Sequence, residues 1–143
     1  MTKKSNAEVV SGHINLGLAN QVFLDKISVV DSERIFIRWW YTVLFYRILM
    51  PIRALLIKQG TLTMEEVDTN YHELNRMILL CDDLSDFAQT YSDLKKISQK
   101  CRYNPFYIAE LHPKVTTYYS EECQKLVDHI GVILGTATGA AAH

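Results

Sequence analysis

A chain of 143 residues, 48% of them apolar and 22% charged, has the size and composition of one folded domain, which excludes a disordered chain. A formal net charge of −1 excludes a whole-molecule field that would draw in nucleic acid or a membrane surface, so any such attraction has to be local. Three cysteines, Cys81, Cys101 and Cys123, stand far apart without a Cys-x-x-Cys pair, which argues against a disulfide framework or a zinc site and predicts reduced, mostly buried thiols.

The first residues, Met1-Thr-Lys-Lys-Ser, run into Asn6, Glu8, Ser11 and His13 rather than an unbroken apolar stretch, so no secretory signal is read and the expected location is the cytoplasm. A first helix is predicted from Asn6 to Val30, with Val10, Ile14, Leu18, Val22 and Phe23 on its inner face and Gly12 and Gly17 weakening it. Asp31-Ser32 supplies cap chemistry for a second helix that runs to Gln59 and stops at Gly60, where a left-handed cap is wanted. Pro51 inside it removes one backbone donor and is expected to kink it near Arg47. Its core, Ile35 to Ile57, is apolar enough to raise a membrane question, but Arg38, Arg47 and Arg53 interrupt it, so the expectation is a central helix of a bundle and no membrane partner.

Thr63-Met-Glu-Glu66 matches a capping box, which starts a third helix extending to Cys81. Asp82, Asp83 and Ser85 mark a break, after which Leu84, Phe87, Ala88, Tyr91, Leu94 and Ile97 keep helical spacing to Cys101; whether segments three and four are one bent helix stays open. Asn104-Pro105 and His112-Pro113 place a loop over residues 103–117, and Ser120-Glu-Glu restarts a helix carrying Leu126, Val127, Ile130, Ile133 and Leu134. The predicted architecture is all-α, an antiparallel four- to five-helix up-and-down bundle over residues 1–134, followed by a small-residue tail at 135–143.

Charge collects in two places. Arg34, Arg38, Arg47, Arg53 and Lys58 precede an acidic run from Glu65 to Asp86, which predicts weak pairing across antiparallel helices. Arg38 and Arg47 lie about 180° apart on one helix, so one of them is expected to be buried or interfacial, with a partner in the acidic run from Glu66 to Asp86. Arg38, Trp39 and Arg47 are the candidate partner interface. The second cluster, Lys95, Lys96, Lys100, Arg102 and Lys114, has only Glu110 within its span and is interleaved with Tyr103, Phe106, Tyr107 and His112. Cations beside aromatics suit phosphates and bases, so these five are the candidate nucleic-acid contacts, the alternative being a solvated helix end.

In order, the run from Arg38 through Trp39, Trp40, Arg53-Ala-Leu-Leu and Gly60, and then Arg102-Tyr-Asn-Pro-Phe-Tyr107 before an aliphatic helix, resembles HEPN domains over residues 35–135. The resemblance implies a homodimer that pairs two Arg-x(4-6)-His motifs and, in many members, metal-independent RNA cleavage, with Arg102 at the phosphate. Four residues separate Arg102 from Tyr107, where that spacing calls for histidine, and His112 stands nine intervening residues from Arg102. A phenol titrating near 10 is a poor base beside an imidazole near 6.5. Arg102, Tyr107 and His112 are therefore the candidate catalytic residues of a reading that ranks second. Ranked first is a non-catalytic subunit or adaptor that binds a protein partner or a nucleic-acid backbone, RNA or single-stranded nucleic acid being the candidate; second is a homodimeric, metal-independent ribonuclease or RNA-targeting toxin or defence protein. No metal or cofactor set is read, since Glu66, His72 and Glu73 lack the paired Glu-x-x-His pattern of a di-iron bundle.

Overall fold

The structure, a computed structural model, describes residues 5–30, 37–63, 71–104 and 106–135. They form five helices: α1 (Asn6–Val30), α2 (Ile37–Lys58), α3 (Tyr71–Leu80), α4 (Ala88–Tyr103) and α5 (Pro113–Leu134), with one 3-10 turn at Ser85–Phe87 ahead of α4. No strand occurs among the described residues, so the all-α bundle expected from the helical spacing is what forms. The caps expected at Asp31-Ser32 and Thr63-Glu66 lie wholly or partly outside the described residues, as does the tail beyond Gly135.

The core is organised around α2, which packs against α1, α4 and α5. Its residues from Leu44 to Ile57 are buried with only Tyr46 half-exposed, so the described helix that is long and apolar enough to cross a membrane has its side chains packed inside the bundle. α1 and α4 run antiparallel to it: Gly17 lies against Met50 and Pro51, Gln21 meets Arg47, and Arg38 meets the end of α4. α5 runs alongside in the same direction as α2, since Tyr119 meets Tyr41 edge-to-face near the two starts.

Two expectations need correction. The inner face of α1 runs through Val10, Ile14, Gly17 and Leu24, with Leu18 half-buried and Val22 54% exposed, while the Phe23 side chain lies outside what the structure describes. Stepping always by four residues drifts 40° per step, whereas the face that meets α2 alternates threes and fours. α5 begins at Pro113, seven residues before the Ser120 start, because Pro113 suits the first helical turn and the His112 ring accepts from the Lys114 N–H at 3.1 Å. Arg76 pairs with Glu73 and Lys125 with Glu122, each within one helix, whereas Arg34 and the acids at 65, 66 and 68, on which the expected pairing between helices partly rests, lie outside the described residues.

Segments three and four are separate elements, parted at Cys81–Leu84 by a turn in which the Leu84 and Ser85 amides bond back to the Cys81 carbonyl. Gly60 and Gly135 end α2 and α5 with φ of 77° and 69°, the left-handed conformation that a Cβ resists. α2 continues as one helix through Pro51. Proline has no N–H for the Arg47 carbonyl one turn earlier, and Gly17 of α1 lets the two backbones approach at that point.

Candidate functional site

The two arginines set half a turn apart on α2 have different fates. Arg47 is 3% exposed, and its Nε donates to Gln21 Oε1 at 2.8 Å, while Gln21 in turn donates to Asp25 at 2.9 Å. Burial pulls its pKa below the ordinary arginine value, opposed by the fields of Asp128 and Asp25 among others. The expected partner in the acidic run of the next segment is thus replaced by a relay on α1. Arg47 lies inside the bundle and presents nothing to a partner.

Arg38 reaches the end of α4. Its guanidinium donates to the carbonyls of Tyr107 at 2.6 Å, Asn104 at 2.7 Å, Cys101, and more distantly Lys100 at 3.4 Å. A helix leaves its last carbonyls without intrahelical donors and carries a partial negative charge there, so a planar cation with several N–H groups satisfies both demands together. Asn104 reinforces the turn: its side-chain oxygen accepts from the Phe106 amide at 3.0 Å and its carbonyl from the Tyr107 amide at 3.2 Å. Arg38 is thereby the clamp that joins the start of α2 to the α4–α5 loop.

Arg102 turns back along its own helix. Its Nε and Nη2 donate to the carbonyl and hydroxyl of Ser98, Nη1 donates to the Tyr46 hydroxyl at 3.0 Å, and the guanidinium lies 5.2 Å from the Tyr103 ring and 5.7 Å from that of Tyr46. Between Arg38 and Arg102 opens a cleft of about 460 Å³, lined also by Trp39, Thr42 and Cys101. Tyr107 is half-buried; burial, followed by the fields of Cys101 and Glu110, raises its phenol above the ordinary value, with Arg38 opposing. That shift moves it further from service as a base at neutral pH. The backbone amide of His112 donates to Glu110 at 2.9 Å while its ring caps α5.

The five candidate nucleic-acid contacts do not share one surface. Lys95 is 7% exposed and burial lowers its pKa, so it faces inward with Ser98. Lys96, Lys100 and Lys114 are exposed, and Lys100 Nζ sits 5.5 Å from the Tyr107 ring centroid. Lys96, Lys100 and Tyr103 follow helical spacing on one solvent-facing stripe of α4. Around the clamp, Trp39, Tyr103, Phe106 and Ile108 are 60%, 76%, 89% and 86% exposed. The sequence reading singled out Trp39 and the aromatics beside the lysines but missed Ile108, and no local signal announced that Arg38 would span more than sixty residues to hold their loop.

Among the described residues no three His, Cys, Asp or Glu side chains gather in a way that could hold a metal ion. No protein-family model, curated protein or solved structure matches this chain.

Proposed function

We propose that this chain is a non-catalytic helical binding module of HEPN-like type, a subunit or adaptor whose binding surface is the end of the bundle where α2 begins and the α4–α5 loop crosses it. The observation that carries this reading is that all three candidate catalytic residues already serve the fold. Arg102 is held by Tyr46 and Ser98, Tyr107 is half-buried with its phenol shifted away from neutrality, and His112 caps a helix. A phosphate-gripping arginine has to turn its paired N–H groups to the ligand, and a general base needs a free lone pair near its target. The neighbouring cleft and the exposed aromatic loop are suited to holding a partner rather than turning one over.

Metal-free incubation with single-stranded RNA, comparing the intact chain with Arg102→Ala and His112→Ala, tests it. The expected outcome is no cleavage above background by any of the three. Cleavage by the intact chain that disappears in both variants overturns the reading in favour of a metal-independent ribonuclease, for which sedimentation would then be expected to report a homodimer.

A further inference from the structure

The surface that this reading assigns to a partner has a chemistry of its own. The loop after α4 presents Phe106 and Ile108 almost fully to solvent, beside Tyr103 and Trp39. Large apolar side chains held outward cost solvation unless something covers them, and these are not on a loose tip. Arg38 grips the carbonyls on both sides of Phe106, at Asn104 and Tyr107, and the Asn104 side chain holds the Phe106 amide. A loop fixed in this way loses little conformational freedom when it binds, which is how a small patch reaches useful affinity.

Charge narrows the occupant. Lys96 and Lys100 precede Tyr103 by two turns and one on the exposed stripe of α4, and Lys114 stands exposed at the start of α5. The acid between Arg102 and Lys114 is Glu110, whose carboxylate accepts from the His112 amide. The patch therefore invites negative charge around an apolar centre. Phosphates are the poorer match: the guanidinium groups of Arg38 and Arg102, which would grip them bidentately, already direct N–H groups from each of the donating nitrogens to backbone carbonyls, Ser98 and Tyr46, and are turned towards the protein by them. Ile108 offers a base no ring to stack on.

We propose that this face binds an acidic segment of a partner protein, which seats one bulky apolar side chain in the cleft beside Trp39 while its carboxylates meet Lys96 and Lys100. The proposal rests on the non-catalytic reading of the same surface. In this arrangement Trp39 and Phe106 are the anchors, the lysines set the register and the on-rate, and Arg38 is a positioning residue that acts through the loop.

A random peptide library selected against the full chain, followed by fluorescence-anisotropy titration of the enriched synthetic peptides, tests the proposal. Titrations use the intact chain, Trp39→Ala, Phe106→Ser and the pair Lys96→Glu with Lys100→Glu, with labelled single-stranded RNA in parallel. All four substituted side chains are solvent-exposed, and circular dichroism checks that each variant folds. The expected result is enrichment of peptides with acids around a Trp, Phe or Leu, affinity that falls with salt, and a loss of roughly tenfold or more in each variant. Failure to enrich any peptide, enrichment without acids, or binding indifferent to the substitutions overturns it. Preferential binding of intact RNA, lost in the same variants, overturns the peptide class and leaves the binding-surface reading standing; cleavage of that RNA overturns both.

Discussion

Arg47 is a cation inside a bundle, and the group its Nε donates to is a neutral amide. Gln21 accepts from it and hands its own donor to Asp25, so the acid stays at the rim while the guanidinium keeps one strong acceptor. Removing the amide while keeping the charge should be worse than removing both. We predict that Gln21→Leu destabilises the fold by about 2 kcal/mol in urea unfolding, and that Arg47→Met with Gln21→Leu recovers much of that loss. Additive losses in the double variant would show that the two side chains are not coupled. The thiols provide a second residue-scale test. Cys101 is 5% and Cys123 2% exposed, with burial raising both pKa values, whereas Cys81 is half-exposed and donates to Gln59 at 3.4 Å. Alkylation of the native chain at neutral pH, read by peptide mass mapping, should label Cys81 first and leave the other two until unfolding.

At the scale of elements, α1 carries two glycines in a helix that the sequence reading already found weak. A Cβ on Gly12 would meet nothing within 4 Å, and one on Gly17 would stand 3.5 Å from the Pro51 ring, an ordinary van der Waals distance. Gly12→Ala should therefore stabilise by about 0.5–1 kcal/mol through helix propensity alone. Gly17→Ala should be neutral or stabilising, whereas Gly17→Leu should separate α1 from α2 and lower the urea midpoint. Equal effects of alanine and leucine at position 17 would mean that no close approach exists there. What the sequence revealed of α1 was its extent, since spacing fixes a helix before its neighbours are known. Its inner face was misread because Gly17 and Gln21 do not look like core residues, and their place in the core follows from Pro51 and Arg47 on another helix. The start of α5 was missed for the opposite reason: the His112-Pro113 pair reads as a loop signal, although it is also what a helix start contains. In the candidate site, the composition of the aromatic and basic cluster was legible, but the inward turn of Lys95 and the engagement of Arg102 and Arg38 depend on long-range partners.

For the whole molecule, the buried acids that lose a proton only at high pH act together. Burial is the leading cause that raises the thiols of Cys101 and Cys123 and the phenols of Tyr41, Tyr107 and Tyr119, and Cys123 is pushed from an ordinary value of 9.0 up to about 12. In the unfolded chain such groups ionise near their ordinary values, so above that point the unfolded state binds fewer protons than the native state. The slope of stability with pH is then negative. Their stabilisation is fully present below about pH 9 and drains away as pH rises towards the native values, with Cys123 alone contributing a slope approaching about 1.4 kcal/mol per pH unit. Lys95 and Arg47 work in the other direction, because burial lowers the pKa of each, and the desolvation penalty of Lys95 is fully relieved once the unfolded lysine also loses its proton near 10.5. One amine and one guanidinium stand against two thiols and three phenols, and an arginine titrates above the range in question, so alkaline loss should win. We predict a urea midpoint steady from neutral pH to about 9 and falling beyond it, with a shallower fall in Cys123→Ala, whose cavity lowers the plateau but removes one ionisation from the unfolded state. Parallel curves for the intact chain and the variant would mean that Cys123 ionises as readily folded as unfolded, which its 2% exposure within the α2–α5 core argues against.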